Sequence, residues 1–261
     1  DQEGELLRRL LEYRFDHGDG LTGHNFGNLL ITAMTEITGN PLETIKAVSK
    51  LLNIDGKVLP VSTEDTRLVA VLEDGTIVHG ETNVDIRTVN PNVAISSVYL
   101  DPPAHVHPET QQALLDADFI VLAPGDLYSS ILPNLLVKGV PEAIERSKAE
   151  IIHVCNLMTK HGETDNFRAS DFLSELTQAL GSNTTIDYCL IDNTEYENQL
   201  LKIYMEELSY PVLVDLDRSS NFAKEIRVSR LSSAGNLIRH DPTLLANEIS
   251  QFVQVTANKN D

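Results

Sequence analysis

The chain has 261 residues, of which 41% are hydrophobic and 23% charged, as expected of a globular protein with one large domain. Its net charge of -19 argues against nucleic acids and anionic membrane surfaces as partners. The sequence shows no signal-peptide pattern and no apolar run of about 18 residues, the length a membrane helix needs. We expect a cytoplasmic protein in which Cys155 and Cys189 are buried thiols.

The first hundred residues predict helices followed by a small β-rich insert. Apolar spacing indicates helices over residues 2–15, 25–38 and 42–52, with Gly39 as a C-cap and Pro41 in a first turn. Residues 57–100 then predict an insert of antiparallel strands, with a hairpin turn at Asp74 and Gly75. The strand patterns of the insert cover residues 58–61, 67–72, 76–79, 84–86 and 94–100.

From residue 118 onward, strand and helix patterns alternate. Such alternation predicts an α/β fold with a mostly parallel sheet and helices on both faces. Thr194 and Glu197 predict a capping box, and Asp241 with Pro242 predicts the start of a final helix through Val253. The expected strands are 118–122, 151–155, 186–191 and 211–215, and the expected helices between them are 129–148, 171–180 and 195–208.

The segment after the first of these strands predicts an anion site. Pro124 and Gly125 end the apolar run, and Ser129 and Ser130 stand at the start of the next helical pattern. Free N–H groups and the helix dipole at such a turn favour a phosphate. The alternative is an ordinary strand-to-helix turn with a serine cap. We expect a nucleotide or a sugar phosphate here.

Polar segments also follow the next two strands, at residues 156–164 and 192–194. The carboxyl ends of parallel strands share one edge of a sheet, so all three segments should lie together. Glu163, Asp126 and Asp192 are candidates for acid–base groups or for ligands of Mg²⁺ near a phosphate, although the chain has 39 acidic residues. His105 and His107 have no third ligand nearby in the sequence, so we expect no metal there.

Two further segments could contact a ligand. Residues 23–28 place His24 and Asn25 between two glycines before a helix, as an anion site or as a plain helix cap led by Asn25. Arg239 precedes the final helix, and its guanidinium could donate two parallel hydrogen bonds to a diphosphate. The alternative is a charged side chain that contacts only solvent.

Several motifs together resemble the gluconeogenesis-factor (YvcK-like) branch of the CofD-like family. They run in order through most of the chain: residues 23–30 (GHNFGNLL), 47–52 (AVSKLL), 123–136 (APGDLYSSILPNLL), 156–164 (NLMTKHGET) and 239–242 (RHDP). The resemblance implies a single Rossmann-like domain over residues 1–261. The family's Gly-rich strand-loop and its Asp-Asp-Gly-Gly segment do not occur in this sequence, and we expect that this N-terminal part is missing from it.

The resemblance also implies a function. Members of this branch are thought to bind a UDP-sugar such as UDP-N-acetylglucosamine, and they act in gluconeogenic growth and cell shape without an established catalytic activity. The alternative is a CofD-type transferase that moves 2-phospho-L-lactate from a guanosine diphosphate donor to a deazaflavin with Mg²⁺. A third reading is a scaffold whose acidic surface docks a partner enzyme, and a homo-oligomer is a further expectation.

The motifs define the residues expected to bind the ligand. Catalytic residues are not assigned. The expected ligand-binding residues are Gly23, His24, Asn25, Asn28, Gly125, Asp126, Leu127, Tyr128, Ser129, Ser130, Asn134, Asn156, Thr159, Glu163, Thr164 and Arg239.

Overall fold

The computed structural model describes residues 2–233, 235 and 237–259, in two compact units, Asp1–Thr63 and Glu64–Asp261. The described residues of the first unit form three helices, which confirms the helices predicted from apolar spacing. They are α1 (Gln2–Glu12), α2 (Phe26–Thr38) and α3 (Pro41–Leu51).

Local hydrogen bonds fix the ends of α2. At its start the Asn25 side chain accepts a hydrogen bond from the amide of Asn28. At its end Gly39 adopts the left-handed conformation, with a φ of 67°, and its N–H donates to the carbonyl of Thr35. Both are standard caps, so the sequence alone determines these boundaries.

The second unit begins with the small antiparallel sheet expected between residues 57 and 100. Its strands, in the order β2-β1-β3, are β1 (Arg67–Leu72), β2 (Ile77–His79) and β3 (Ile95–Asp101). The Asp74 carboxylate accepts a hydrogen bond from the amide of Thr76 and stabilises the predicted turn between β1 and β2. Two predicted strands are wrong: residues 58–61 form no strand, and Val84 lies in helix α4 (Glu81–Asp85).

A four-stranded parallel sheet forms the centre of the second unit and confirms the α/β fold class. Its order, β4-β5-β6-β7, comprises β4 (Phe119–Leu122), β5 (Glu150–Val154), β6 (Ile186–Asp192) and β7 (Ala223–Ser229). The helices around it are α5 (Pro108–Leu115), α6 (Leu132–Leu135), α7 (Val140–Arg146), α8 (Ala169–Leu180), α9 (Asn198–Glu206), α10 (Leu216–Ser219) and α11 (Pro242–Lys259).

The core of this unit lies against the central strands. Residues 151–154 of β5 are all buried, so both faces of the sheet are covered, as expected for parallel strands. Phe252 of α11 stacks on Tyr188 of β6, with ring centroids 4.2 Å apart, and packs in the same cluster as Ile152. The final helix therefore covers one face of the sheet.

The helix expected over residues 129–148 is broken into shorter pieces. A π-helical turn (Leu127–Ile131) leads into α6, and α7 starts only at Val140. Between them Gly139 has a φ of 94°, outside the helical region, and Pro141 has no N–H to continue a helix. The prediction of one long helix was wrong because apolar spacing alone does not register these two breaks.

The last part of the sheet also differs from expectation. The segment 211–215 is not a strand, because Pro211 and Leu213 make only isolated bridges. The fourth strand is β7, which sequence analysis missed. It lies at the edge of the sheet, where Lys224 and Glu225 are exposed and interrupt the apolar pattern of a buried strand.

One buried histidine makes the stability of this unit depend on pH. His153 of β5 is fully buried, one ring nitrogen faces the carbonyl of Leu122, and Nε2 has no hydrogen-bond partner among the described residues. Burial lowers the pKa of His153 from 6.5 to about 4. The unfolded chain therefore binds a proton between these pH values and the folded chain does not.

We predict that the free energy of unfolding falls by about 3 kcal/mol, on account of this one group, as pH drops from 6.5 to 4. Urea titrations at a series of pH values should show a smaller fall for His153→Gln than for the wild type, whatever its stability at neutral pH. His79→Asn, at an exposed position, is the control and should keep the wild-type slope. Equal slopes for wild type and His153→Gln would contradict the prediction.

Candidate functional site

The loops after β4 and β5 meet at the carboxyl edge of the parallel sheet. The two strands are neighbours, so residues 123–130 and 156–164 leave the sheet side by side. The Asn156 side-chain amide donates to the carbonyl of Gly125 at 2.7 Å. The expected convergence of these two segments is therefore present.

The carboxylate of Glu163 binds the amides that the sequence assigned to a phosphate. One of its oxygens accepts hydrogen bonds from the amides of Tyr128 (3.0 Å) and Ser129 (3.2 Å), and the other accepts from the Ser129 hydroxyl (2.7 Å). Glu163 is only 3% exposed. The expectation that these two amides are free for a ligand is corrected: the anion that binds this turn belongs to the chain itself.

Lys160 lies among three acidic side chains. Its ammonium hydrogen-bonds Asp85, contacts Asp126 at 2.7 Å and lies 3.4 Å from Glu163. Carboxylate oxygens of these three acids lie within 4.8 Å of one another, and such a set could hold a divalent cation. With the ammonium of Lys160 already between them, the residues do not fit a Mg²⁺ ion without displacement of this lysine.

Asp192, the other acid considered for Mg²⁺, has an internal role. Its two oxygens accept hydrogen bonds from the amide and hydroxyl of Thr194, the hydroxyl of Tyr196 and the amide of Leu231. Thr194 is thus engaged by Asp192, and α9 begins at Asn198 with no capping bond from a side chain. The predicted capping box is wrong, and Asp192 ties the end of β6 to the segment after β7.

Asp126 has an unusual electrostatic setting. Burial, followed by the charges of Glu163 and Glu81, raises its pKa to about 6. The ammonium of Lys160, hydrogen-bonded to the carboxylate, favours the ionised form. At neutral pH Asp126 is a carboxylate, and it accepts hydrogen bonds without donating any.

A cleft of about 670 Å³ opens beside this loop. Its lining includes four residues of the expected ligand-binding set and two that lie outside that set. The four are Gly125, Asp126, Asn156 and Arg239, and the two are Tyr204 and His240.

The segment around Arg239 is anchored so that it borders the cleft. The Tyr204 hydroxyl of α9 accepts a hydrogen bond from the amide of Ile238 at 2.9 Å, and the Ser232 hydroxyl donates to the carbonyl of Arg239 at 2.8 Å. Arg239 is exposed, and no ion pair within the described part of the chain involves its guanidinium. It is therefore a cation at the cleft that is available to an anionic ligand.

Other residues from the expected ligand set hydrogen-bond within the chain or are buried. The buried Thr159 and Thr164 hydroxyls accept hydrogen bonds from the amides of Tyr210 and Lys160, and Asn134 donates to the carbonyl of Ser130. Ser130 itself is exposed, whereas Leu127 and Tyr128 are buried. These hydrogen bonds stabilise the conformations of the loops after β4 and β5.

The residues predicted near the N-terminus lie in the first compact unit. Asn25 caps α2 by accepting from the amide of Asn28. The amide of Gly23 donates to the carbonyl of Phe15, and that of His24 donates to the carbonyl of Leu21. The helix-cap interpretation accounts for the Asn25 side chain, and the ligand role of these four residues stays a prediction.

Comparison with known families agrees with the motifs. The sequence model of a family described as 2-phospho-L-lactate transferase CofD matches residues 1–232. This chain belongs to the CofD family.

Individual relatives within the CofD family are gluconeogenesis factors. The chain is 42% identical over 212 residues to that of Halalkalibacterium halodurans, a match that covers 80% of this chain and 64% of the relative. It is 36% identical over 238 residues to that of Bacillus subtilis, covering 90% of this chain and 74% of the relative. A Nostoc protein is 38% identical over 246 residues, which are 94% of this chain and 53% of that protein, so the chain spans about half its length.

A solved structure shares the fold. A protein from Bacillus halodurans, described as a member of the UPF0052 family, superimposes with a TM-score of 0.84 at 37% sequence identity. The match covers 94% of this chain and 78% of that one. In the described part of this CofD-family chain, every helix is too short or too polar to cross a bilayer.

The Glu163 contacts predict a large cost of removing this carboxylate. Glu163→Ala leaves two buried amides and the Ser129 hydroxyl without their acceptor and removes one of the three carboxylates around Lys160, so we expect a loss of about 3–5 kcal/mol in the free energy of unfolding. Glu163→Gln keeps one carbonyl acceptor, so we expect a smaller loss in the free energy of unfolding. Urea denaturation measures both, with Glu109→Gln at an exposed helix start as the control, expected within about 0.5 kcal/mol of the wild type. A Glu163→Ala protein as stable as the control would refute this role.

Proposed function

We propose that this chain is a nucleotide-sugar-binding regulator and that its cleft takes a ligand of the UDP-N-acetylglucosamine type. The observation that carries the proposal is the guanidinium of Arg239, which has no ion pair among the described residues and borders a cleft beside the glycine turn of Gly125. A volume of about 670 Å³ is in the ordinary range for a small-molecule site.

Two groups of the cleft suit a diphosphate. Arg239 offers parallel N–H donors that match the spacing of phosphate oxygens. No hydrogen bond within the described residues engages the amides of Gly125, Asp126 or Leu127. A phosphate that contacts both groups would therefore find donors that the fold has not already used.

The regulator is favoured over the CofD-type transferase by the acidic cluster. Transfer from a nucleoside diphosphate donor depends on charge stabilisation, which Mg²⁺ commonly supplies. Here Lys160 lies between Asp85, Asp126 and Glu163. The described residues thus provide a fixed ammonium, so we derive no metal-dependent step from them.

The binding proposal is tested by titration calorimetry with UDP-N-acetylglucosamine. We predict that Arg239→Ala weakens binding by about 1.5–3 kcal/mol, or roughly ten- to a hundredfold, because a charged hydrogen bond is lost. Arg239→Lys should recover only part of the affinity, since an ammonium cannot donate two parallel hydrogen bonds to a phosphate as a guanidinium does. Arg146→Ala, which removes an exposed arginine at the end of α7, is the control and should bind as the wild type does. Absence of binding to the wild-type protein at millimolar ligand would reject the proposal.

The cellular part of the proposal links ligand level to carbon metabolism, cell-wall synthesis and cell shape. Its link to carbon metabolism is supported by the relatives named gluconeogenesis factor in Bacillus subtilis and Halalkalibacterium halodurans. We predict that the chain restores growth on a gluconeogenic carbon source to a Bacillus subtilis strain that lacks its own factor. Growth curves and cell width measure the result. Stable expression without restored growth would count against this role.

A further inference from the structure

Two residues that line the cleft each carry a buried side-chain atom that has no hydrogen-bond partner among the described residues. These atoms are Oδ1 of Asn156 and Nε2 of His240. Both residues line the same cleft as Arg239. A buried polar atom that makes no hydrogen bond destabilises the fold, so most such atoms have a partner in the protein, in water or in a ligand.

The orientation of the Asn156 side chain is fixed by its other polar atom. Nδ2 donates to the carbonyl of Gly125 at 2.7 Å. Rotating the amide by 180° would set its oxygen against that carbonyl oxygen, so the chemistry allows one orientation only. Oδ1 is therefore held as an acceptor at the base of the glycine turn.

His240 is held in the same way. Besides burial and the charge of Asp192, the main-chain carbonyl of Cys155 acts on the ring as a hydrogen-bond acceptor. Because Nε2 has no partner among the described residues, we assign the proton to Nδ1. Burial lowers the pKa of His240, with Asp192 and the Cys155 carbonyl opposing the effect. In the neutral ring with Nδ1 protonated, Nε2 carries a lone pair and is an acceptor.

The chemistry of this wall differs from that of Arg239. Phosphate oxygens are acceptors, so neither Asn156 Oδ1 nor His240 Nε2 can bind them. The matching ligand groups are hydrogen-bond donors, such as a sugar hydroxyl, an acylamino N–H or the imide N–H of a base. A nucleotide sugar carries both kinds of group, with its diphosphate between them.

We propose that Asn156 and His240 are specificity-determining residues that accept hydrogen bonds from donor groups of the ligand, while Arg239 takes its diphosphate. This inference rests on the proposed function, since it assigns roles within the same cleft. It predicts that the protein distinguishes a ligand with these donors from one that has only the diphosphate.

Two substitutions of His240 separate binding from folding. The carboxamide of asparagine reaches the position of Nδ1, so His240→Asn keeps a donor for the Cys155 carbonyl and removes the acceptor at Nε2. The longer glutamine places its carboxamide near Nε2. We expect His240→Asn to bind UDP-N-acetylglucosamine about tenfold more weakly at near wild-type thermal stability, and His240→Gln to recover to within about threefold of the wild type.

The ligand side provides a readout that does not depend on the stability of one variant. Wild type and His240→Asn are each titrated with UDP-N-acetylglucosamine and with UDP, which lacks the sugar. If the donor is on the sugar, the substitution weakens only UDP-N-acetylglucosamine. If the donor is on the uracil or ribose, it weakens both ligands equally. Either result supports the inference and locates the donor.

Failure of this inference is distinct from failure of the proposed function. Wild-type protein that binds neither ligand rejects the function. Wild-type binding that His240→Asn leaves unchanged for both ligands overturns the inference and assigns the two acceptors to a buried water. A crystal structure with UDP-N-acetylglucosamine that shows phosphate oxygens against Asn156 and His240 would overturn it as well.

Discussion

The hydrogen bonds of the Glu163 carboxylate determine the shape of this edge of the sheet. Glu163 belongs to the loop after β5, whereas Tyr128 and Ser129 belong to the turn after β4. A buried charge is stable only when its lone pairs are satisfied, and here two amides, a hydroxyl and Lys160 satisfy them. Glu163 binds the turn at Tyr128 and Ser129, and the preceding residues, Gly125 and Asp126, line the cleft.

Charges near the cleft bear on how a very acidic chain could bind the anionic ligand that we propose. The net charge is -19, yet Lys160 neutralises part of the acidic cluster next to the cleft, and Arg239 has no ion pair among the described residues. Local charges within a few ångströms outweigh distant surface charges, which salt screens. We therefore expect affinity for the proposed ligand to depend on Lys160 and Arg239 more than on the overall charge.

The sequence predicted those parts of the fold that depend on local signals. Apolar runs predicted β4, β5 and β6, and caps such as Gly39 predicted the ends of helices. It missed β7, because edge strands carry exposed charges such as Lys224. It also could not identify Glu163 as the anion of the turn, since nothing local distinguishes that residue from the other acidic residues. Tyr204 and His240 join the cleft through tertiary contacts that no spacing records.

Hydrogen-bond saturation separates the functional part of this edge from its structural part. Asp192 makes four hydrogen bonds, and the Glu163 carboxylate is likewise fully engaged, although both were candidates for chemistry. Around the cleft the guanidinium of Arg239, Oδ1 of Asn156 and Nε2 of His240 have no protein partner among the described residues. Selection for stability alone would favour partners for these groups, because each unmade bond lowers the stability of the fold. Other buried atoms without a partner, such as Nε2 of His153, lie elsewhere among the described residues, but the proposed ligand carries both the donors and the negative charge that match these three groups.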